Sequence, residues 1–90
     1  MSKVVDNTHL QRFEMPVDGG VAFVTYRKRG TEITLFHAEV PAELQGRGLG
    51  SELAKATLTA IREQGLKAIP RCSFMAAYMR SHPEFSDIRA

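Results

Sequence analysis

Three glycines at alternate positions, Gly46, Gly48 and Gly50, separate a segment with strand character from a segment with helical periodicity. A helix N-terminus has free backbone N–H groups and the positive end of the helix dipole, so a glycine-rich loop at this point can bind an anion. Glycine has no Cβ atom and lets a phosphate approach the backbone, although each glycine costs conformational entropy on folding. Residues 45–50 are therefore a predicted phosphate site, to which Arg47 adds a positive charge.

The glycine spacing separates this loop from the common nucleotide-binding motifs. The loop lacks the Gly-Lys-Ser/Thr of a P-loop, and its glycines do not match the G-x-G-x-x-G pattern of dinucleotide-binding folds. The alternative interpretation is a helix start whose glycines allow close packing or a tight bend. An isolated pair of glycines would favour this structural interpretation. Three glycines with Arg47 favour binding instead, and the pyrophosphate of coenzyme A is the remaining common ligand.

The chain before the loop predicts a three-stranded antiparallel meander. Its segments are rich in β-branched and aromatic residues and are separated by glycine-containing turns, Asp18-Gly19-Gly20 and Arg29-Gly30. The predicted strands are residues 12–17, 21–28 and 31–40, and Pro41 ends the third because it lacks a backbone N–H.

A strict alternation along the third strand divides its side chains between two faces. One predicted face carries Ile33, Leu35, His37 and Glu39, and the other carries Thr34, Phe36, Ala38 and Val40. His37 and Glu39 would then extend an apolar face with two titratable groups.

The chain after the loop predicts a helix, a short strand and a second helix. The first helix runs from Gly48 to about residue 64 and ends at Gly65, which tolerates the left-handed conformation. Residues 66–72 form a buried strand containing Pro70, and Ser73 caps a second helix to about residue 81. The predicted sheet-facing stripe of the first helix is Leu49, Leu53, Ala56 and Ala60, widened by Ala54, Thr57 and Ile61.

Length and charge limit the possible classes. A chain of 90 residues fits one domain, and we expect residues 1–9 to be flexible. The net charge of +2 is small and the basic residues are scattered along the chain, so the charge does not indicate a nucleic-acid partner. No apolar run approaches the roughly 20 residues that cross a bilayer. A single cysteine and the lack of an apolar N-terminal stretch indicate a cytoplasmic protein, and we expect no metal site.

Four segments together resemble one known family. Residues 45–50 match the Q/R-x-x-G-x-G/A pyrophosphate motif of GNAT acetyltransferases, the GCN5-related N-acetyltransferase family. Residues 36–41, 69–74 and 78–85 are similar to those of very short, single-domain GNAT-like predicted acetyltransferases. The resemblance covers about residues 10–88, and the combination is more specific than the glycine loop alone.

The resemblance implies an α+β fold of the GNAT type, in a minimal version without the N-terminal helical segment that covers the acceptor side. The sheet would splay between residues 31–40 and 66–72, and the pantetheine arm of acetyl-CoA would enter the gap, where Pro70 loses no hydrogen bond. The implied cofactor-binding residues, for acetyl-CoA or coenzyme A, are Val40, Gln45, Gly46, Arg47, Gly48, Leu49, Gly50, Ser51 and Tyr78.

Three residues are candidates for the chemistry of acetyl transfer. His37 or Glu39 would remove a proton from the attacking amine, although a hydrogen-bonded structural pair is the alternative. By the resemblance, Cys72 lies near the cofactor sulfur and would form an acetyl-cysteine intermediate if transfer is not direct. A small buried thiol without a chemical role is the other interpretation of Cys72.

The predicted function is acetyl transfer from acetyl-CoA to an unidentified amine, with proteins and peptides among the candidate acceptors. The alternative is an acyl-CoA-binding sensor or interaction module without catalysis, because the implied acceptor side is open. A third and weaker alternative is nucleic-acid binding through the loop, with Arg47, Lys28 and Arg29 against phosphates.

Overall fold

A computed structural model describes residues 3–90 of the chain. Within this range five strands and two α-helices follow one another, with short 3-10 helices at Ala42–Leu44 and Pro83–Ile88. The elements are β1 (Val5–Asn7), β2 (Arg12–Val17), β3 (Gly20–Arg29), β4 (Glu32–Glu39), α1 (Leu49–Glu63), β5 (Lys67–Pro70) and α2 (Ser73–Ser81).

The strands form one mixed sheet in the order β1-β2-β3-β4-β5. The first four strands pair antiparallel, and β5 returns through α1 to lie parallel to β4. The two turns of the predicted meander each contain a glycine with positive φ, 90° at Gly19 and 61° at Gly30. The α+β fold and the meander predicted from the sequence are therefore confirmed.

The first strand is not indicated by the sequence pattern. β1 has only three residues, pairs with β2 along one edge of the sheet, and is tied to β3 by a hydrogen bond from the Tyr26 hydroxyl to the Asp6 carboxylate. Such a short segment has no readable alternation, so its tertiary partners determine its structure. Of residues 1–9, expected to be flexible, the first two lie outside the described residues.

The core lies on one face of the sheet, against which both helices pack. Its largest fully buried side chains come from β2, β3, β4 and both helices: Phe13, Met15, Val24, Ile33, Leu35, Leu53, Leu58, Ile61 and Met75. The opposite face carries Arg12, Phe23 and Thr25, and the Arg12 guanidinium lies 4.4 Å from the centre of the Phe23 ring.

The buried face of α1 is rotated from the predicted stripe. Leu53, Ala54, Thr57, Leu58 and Ile61 are buried, whereas the predicted Leu49, Ala56 and Ala60 are only partly buried. The prediction placed the alanines at the centre and omitted Leu58. Packing a leucine against the sheet removes more apolar area from water than packing an alanine does, so the larger side chains set the orientation of the helix.

The predicted faces of β4 are wrong beyond Leu35. Consecutive residues of β3, Thr25 and Tyr26, pair with His37 and Leu35, so Phe36 is an extra residue that forms a β-bulge. The bulge reverses the alternation. Ala38 and Val40 pack against the core, whereas the His37 and Glu39 side chains are 59% and 57% exposed.

Both helices have defined ends. Gly65 has a φ of 73°, and the N–H groups of Gly65 and Leu66 donate to the carbonyls of Arg62 and Ile61, which forms a Schellman motif. α2 begins at Ser73 as predicted, but its N-cap residue is Cys72 rather than Ser73.

In the described part of the chain, no helix is long and apolar enough to span a bilayer.

Candidate functional site

The sheet opens where β5 ends. β5 pairs with β4 only from Glu32↔Lys67 to Leu35↔Pro70, and β4 continues four residues further, to Glu39. The Leu35 carbonyl accepts hydrogen bonds from the N–H groups of Arg71 and Cys72, at 3.0 and 2.9 Å, which turns the chain away from the sheet. Residues 36–39 thus border a gap, and Pro70 occupies the last paired position.

The glycine loop lies at the end of this gap. Gly46 and Gly48 have φ values of 85° and 78°, in the left-handed region that favours glycine. Gly48 is the N-cap of α1, and in residues 3–90 no side chain caps this helix N-terminus. The N–H groups of the first turn, residues 49–51, therefore lack intrahelical carbonyl partners, as in any helix. The Gln45 side chain donates to the Val40 carbonyl at 3.1 Å and joins the loop to the end of the strand.

A cavity of about 270 Å³ connects the opened sheet with the loop. Its lining is mainly apolar and comes from the end of β4, the loop, α1 and the first turn of α2. The lining residues are Ala38, Val40, Leu44, Gln45, Gly46, Gly50, Leu53 and Phe74. A larger space of about 500 Å³ lies beside Lys3, Val4 and the outer face of α1, but it does not include the helix N-terminus.

The third glycine of the loop has a different role from the first two. Gly50 lies within α1, and a Cβ atom added there would be 3.1 Å from the Phe74 Cζ atom. At Gly46 and Gly48 an added Cβ would meet no atom within 4 Å, and their requirement is conformational. Gly50 thus allows the Phe74 ring to pack against the start of α1.

Sequence reasoning missed Phe74, Leu44 and Ala38 as parts of this site. An apolar residue in a loop or a first helical turn does not by itself indicate a cavity. The one available signal was the alternation of β4, which would place Ala38 correctly only if the extra residue at Phe36 were known.

The proposed bases His37 and Glu39 lie together, with the His37 Nε2 atom 3.1 Å from the Glu39 Oε1 atom. They share the open face of the sheet with Phe23, whose ring centre is 6.2 Å from that of His37. Ala38 and Val40 point to the other face, into the cavity. The bulge therefore separates the predicted bases from the cavity lining, and a catalytic role for either remains a prediction.

Cys72 and Tyr78 do not line the cavity. Cys72 is partly buried against the core at the N-terminus of α2. Tyr78 is buried and stacked on His82, with ring centres 3.7 Å apart, and burial raises the pKa of its hydroxyl. The His82 Nδ1 atom lies 2.8 Å from the Tyr78 carbonyl oxygen and donates to it, so Nδ1 carries a proton.

Comparison with known proteins identifies the family of this chain. Residues 12–88 match the family model described as GCN5-related N-acetyl-transferase. The chain belongs to this family. The matched region includes β2 to β5, both α-helices and the whole glycine loop.

Two kinds of relatives support the assignment to the GCN5-related family. Proteins called Protein NATD1 from Gallus gallus and Mus musculus are 38% identical over 63 residues, which is 69% of this chain and 57% of each relative. The chain thus spans a little over half the length of these relatives. An NMR solution structure of a GCN5-like candidate N-acetyltransferase from Staphylococcus aureus has a TM-score of 0.70 and 31% identity, over 89% of this chain and 81% of that one.

Proposed function

We propose that this protein transfers an acetyl group from acetyl-CoA to an amine. The observation that supports this function best is the continuity between an apolar cavity and the N-terminus of α1. One end of the cavity meets the opened edge of β4, and the other end meets a loop with two left-handed glycines. A ligand with a pyrophosphate and an extended arm fits this combination of an amide-rich end and an apolar end.

The chain offers complementary groups for each part of such a ligand. The N–H groups of residues 46–51 would donate to the pyrophosphate, and the exposed Arg47 would add a cation. The unpaired edge at residues 36–39 would offer backbone hydrogen bonds to the amides of the pantetheine arm, as a neighbouring strand does. The bound thioester supplies a carbonyl carbon that an amine can attack.

The acceptor amine would approach from the open face of the sheet. The exposed His37 and Glu39 lie on this face, where either could remove the proton from the attacking ammonium group. Within residues 3–90 both helices lie on the other side, so a protein or peptide could reach this face without displacing an element. The acceptor would have to contribute much of its own positioning.

The loop is tested by placing a negative charge beside the proposed phosphates. Gly48→Glu should reduce acetyl-CoA affinity at least tenfold, because it adds a like charge and forces a glutamate into the left-handed region. Calorimetric titration would measure the affinity of the folded variant. Gly30→Glu is the matched control, since Gly30 has a φ of 61° and lies in a turn away from the cavity.

Gly30→Glu should lose stability for the same backbone reason but keep its affinity for acetyl-CoA. Equal affinity of wild type and folded Gly48→Glu would reject the loop as the phosphate site. Equal losses in both variants would show that the effect comes from stability rather than from the site.

A second function, binding of acyl-CoA without transfer, is favoured by one observation. The bulge at Phe36 puts His37 and Glu39 on the face opposite the cavity-lining Ala38 and Val40. Acetyl-CoA binding without acetylation of any amine in an acceptor screen would support this function over acetyl transfer.

A further inference from the structure

Among residues 3–90, Phe74 is the only large aromatic residue that lines the cavity, and 40% of it is exposed. It lies in the first turn of α2, whereas most of the lining comes from β4, the loop and α1. An exposed aromatic ring beside an apolar cavity retains apolar area that a ligand can remove from water.

The Phe74 ring lies against the first turn of α1 at Gly50. A Cβ atom at position 50 would lie 3.1 and 3.5 Å from two atoms of the ring, so a larger residue would push the ring away from α1. The ring thus lies directly beside the first turn of α1, where free N–H groups are available. Phe74 and the phosphate-binding groups therefore contact adjacent parts of any ligand that fills both places.

We propose that Phe74 is a specificity-determining residue, whose ring packs on the pantetheine arm just beyond the pyrophosphate and so favours coenzyme A over nucleotides without an arm. This inference rests on the proposed function. Gly50 contributes to this role, because the absence of a side chain at position 50 leaves room for the ring beside the cavity.

Two ligands separate this role from phosphate binding. Coenzyme A has the arm, whereas phosphoadenosine diphosphate keeps the pyrophosphate and the adenosine but has no arm. Phe74→Ala should weaken coenzyme A binding about tenfold, because the area that the ring covers is lost, and should leave binding of the armless nucleotide within twofold of wild type. Gly50→Ala should act in the same direction by displacing the ring.

Leu10→Ala is the control for removing an exposed apolar side chain. Leu10 is 53% exposed, lies in the turn before β2 and does not line the cavity, so both affinities should stay at wild-type values. Thermal unfolding would establish that each variant is folded. If Phe74→Ala is unstable, Phe74→Leu takes its place. Because leucine keeps an apolar side chain, its coenzyme A affinity should fall between that of the wild type and the tenfold loss expected for Phe74→Ala.

The outcomes distinguish the inference from the function on which it rests. Selective loss of coenzyme A affinity supports the role of Phe74. Unchanged affinity, or an equal loss for both ligands, overturns that role while the proposed function stands. Failure of the wild type to bind either ligand overturns the proposed function and this inference with it.

Discussion

Cys72 lies at the edge of the gap, where the returning chain leaves β4, although it does not line the cavity. Its N–H donates to the Leu35 carbonyl, which is the last carbonyl of β4 that pairs with the returning chain. It is also the N-cap residue of α2. The thiol is only partly buried, so it could reach a thioester held in the gap.

Cys72→Ala separates transfer through the thiol from direct attack. If Cys72 is a nucleophile, wild-type protein mixed with acetyl-CoA should gain the mass of one acetyl group, and Cys72→Ala should not. Intact-mass spectrometry would measure the adduct, and calorimetry would check that both proteins bind acetyl-CoA equally. Equal turnover of an acceptor by both proteins would eliminate the nucleophile and leave direct attack, with His37 or Glu39 as the base.

At the scale of elements, α1 holds the loop through its buried face. Leu53 is fully buried and also lines the cavity, so its side chain joins the core to the site. Leu53→Ala should lower the free energy of unfolding by about 2–5 kcal/mol, because it removes packed methyl groups and leaves a cavity. Chemical denaturation would measure the change.

Lys55→Ala on the exposed side of α1 is the control for Leu53→Ala. This surface substitution should change the free energy of unfolding by no more than about 0.5 kcal/mol. A Leu53→Ala midpoint as close to wild type as that of Lys55→Ala would contradict the buried position of Leu53.

Local patterns predicted β2 to β5 and both α-helices but not β1, and they did not predict how these elements are oriented. The turns at Gly19 and Gly30 and the end of α1 at Gly65 follow from one residue type and its allowed φ, so they could be predicted. The rotation of α1 depends on which side chains meet the sheet, and the reversal of β4 depends on a pairing with β3. Both are tertiary effects. The reversal of β4 explains why Ala38 was missed as a cavity residue, and no local pattern marks Phe74 as one.

At the scale of the whole molecule, one polar cluster joins the first strand to the sheet and to the far end of α1. The Asp6 carboxylate accepts hydrogen bonds from the Tyr26 hydroxyl and the Gln64 amide, and Lys28 lies 3.9 Å from it. Burial and the adjacent Asp6 raise the pKa of Tyr26. Folding therefore favours the neutral hydroxyl, whose contribution is fully present below about pH 10 and is lost at higher pH.

Tyr26→Phe tests this cluster. The variant should lose about 1.5–3 kcal/mol of stability at neutral pH, because a hydrogen bond to a charged group disappears. Its stability should also fall less steeply above pH 10 than that of the wild type, since it lacks the titrating hydroxyl. Denaturation at a series of pH values would measure both effects, and parallel curves for the two proteins across the alkaline range would refute the assignment.

The bulge in β4 has a consequence for how sequences of this kind can diverge. Phe36 is half exposed, and many side chains would be accepted in its place. Removing the residue altogether would instead shift every later side chain of the strand to the other face, exchanging Ala38 and Val40 for their polar neighbours in the core. Between Leu35 and Ala38, natural variation should therefore preserve the number of residues more strictly than their identity.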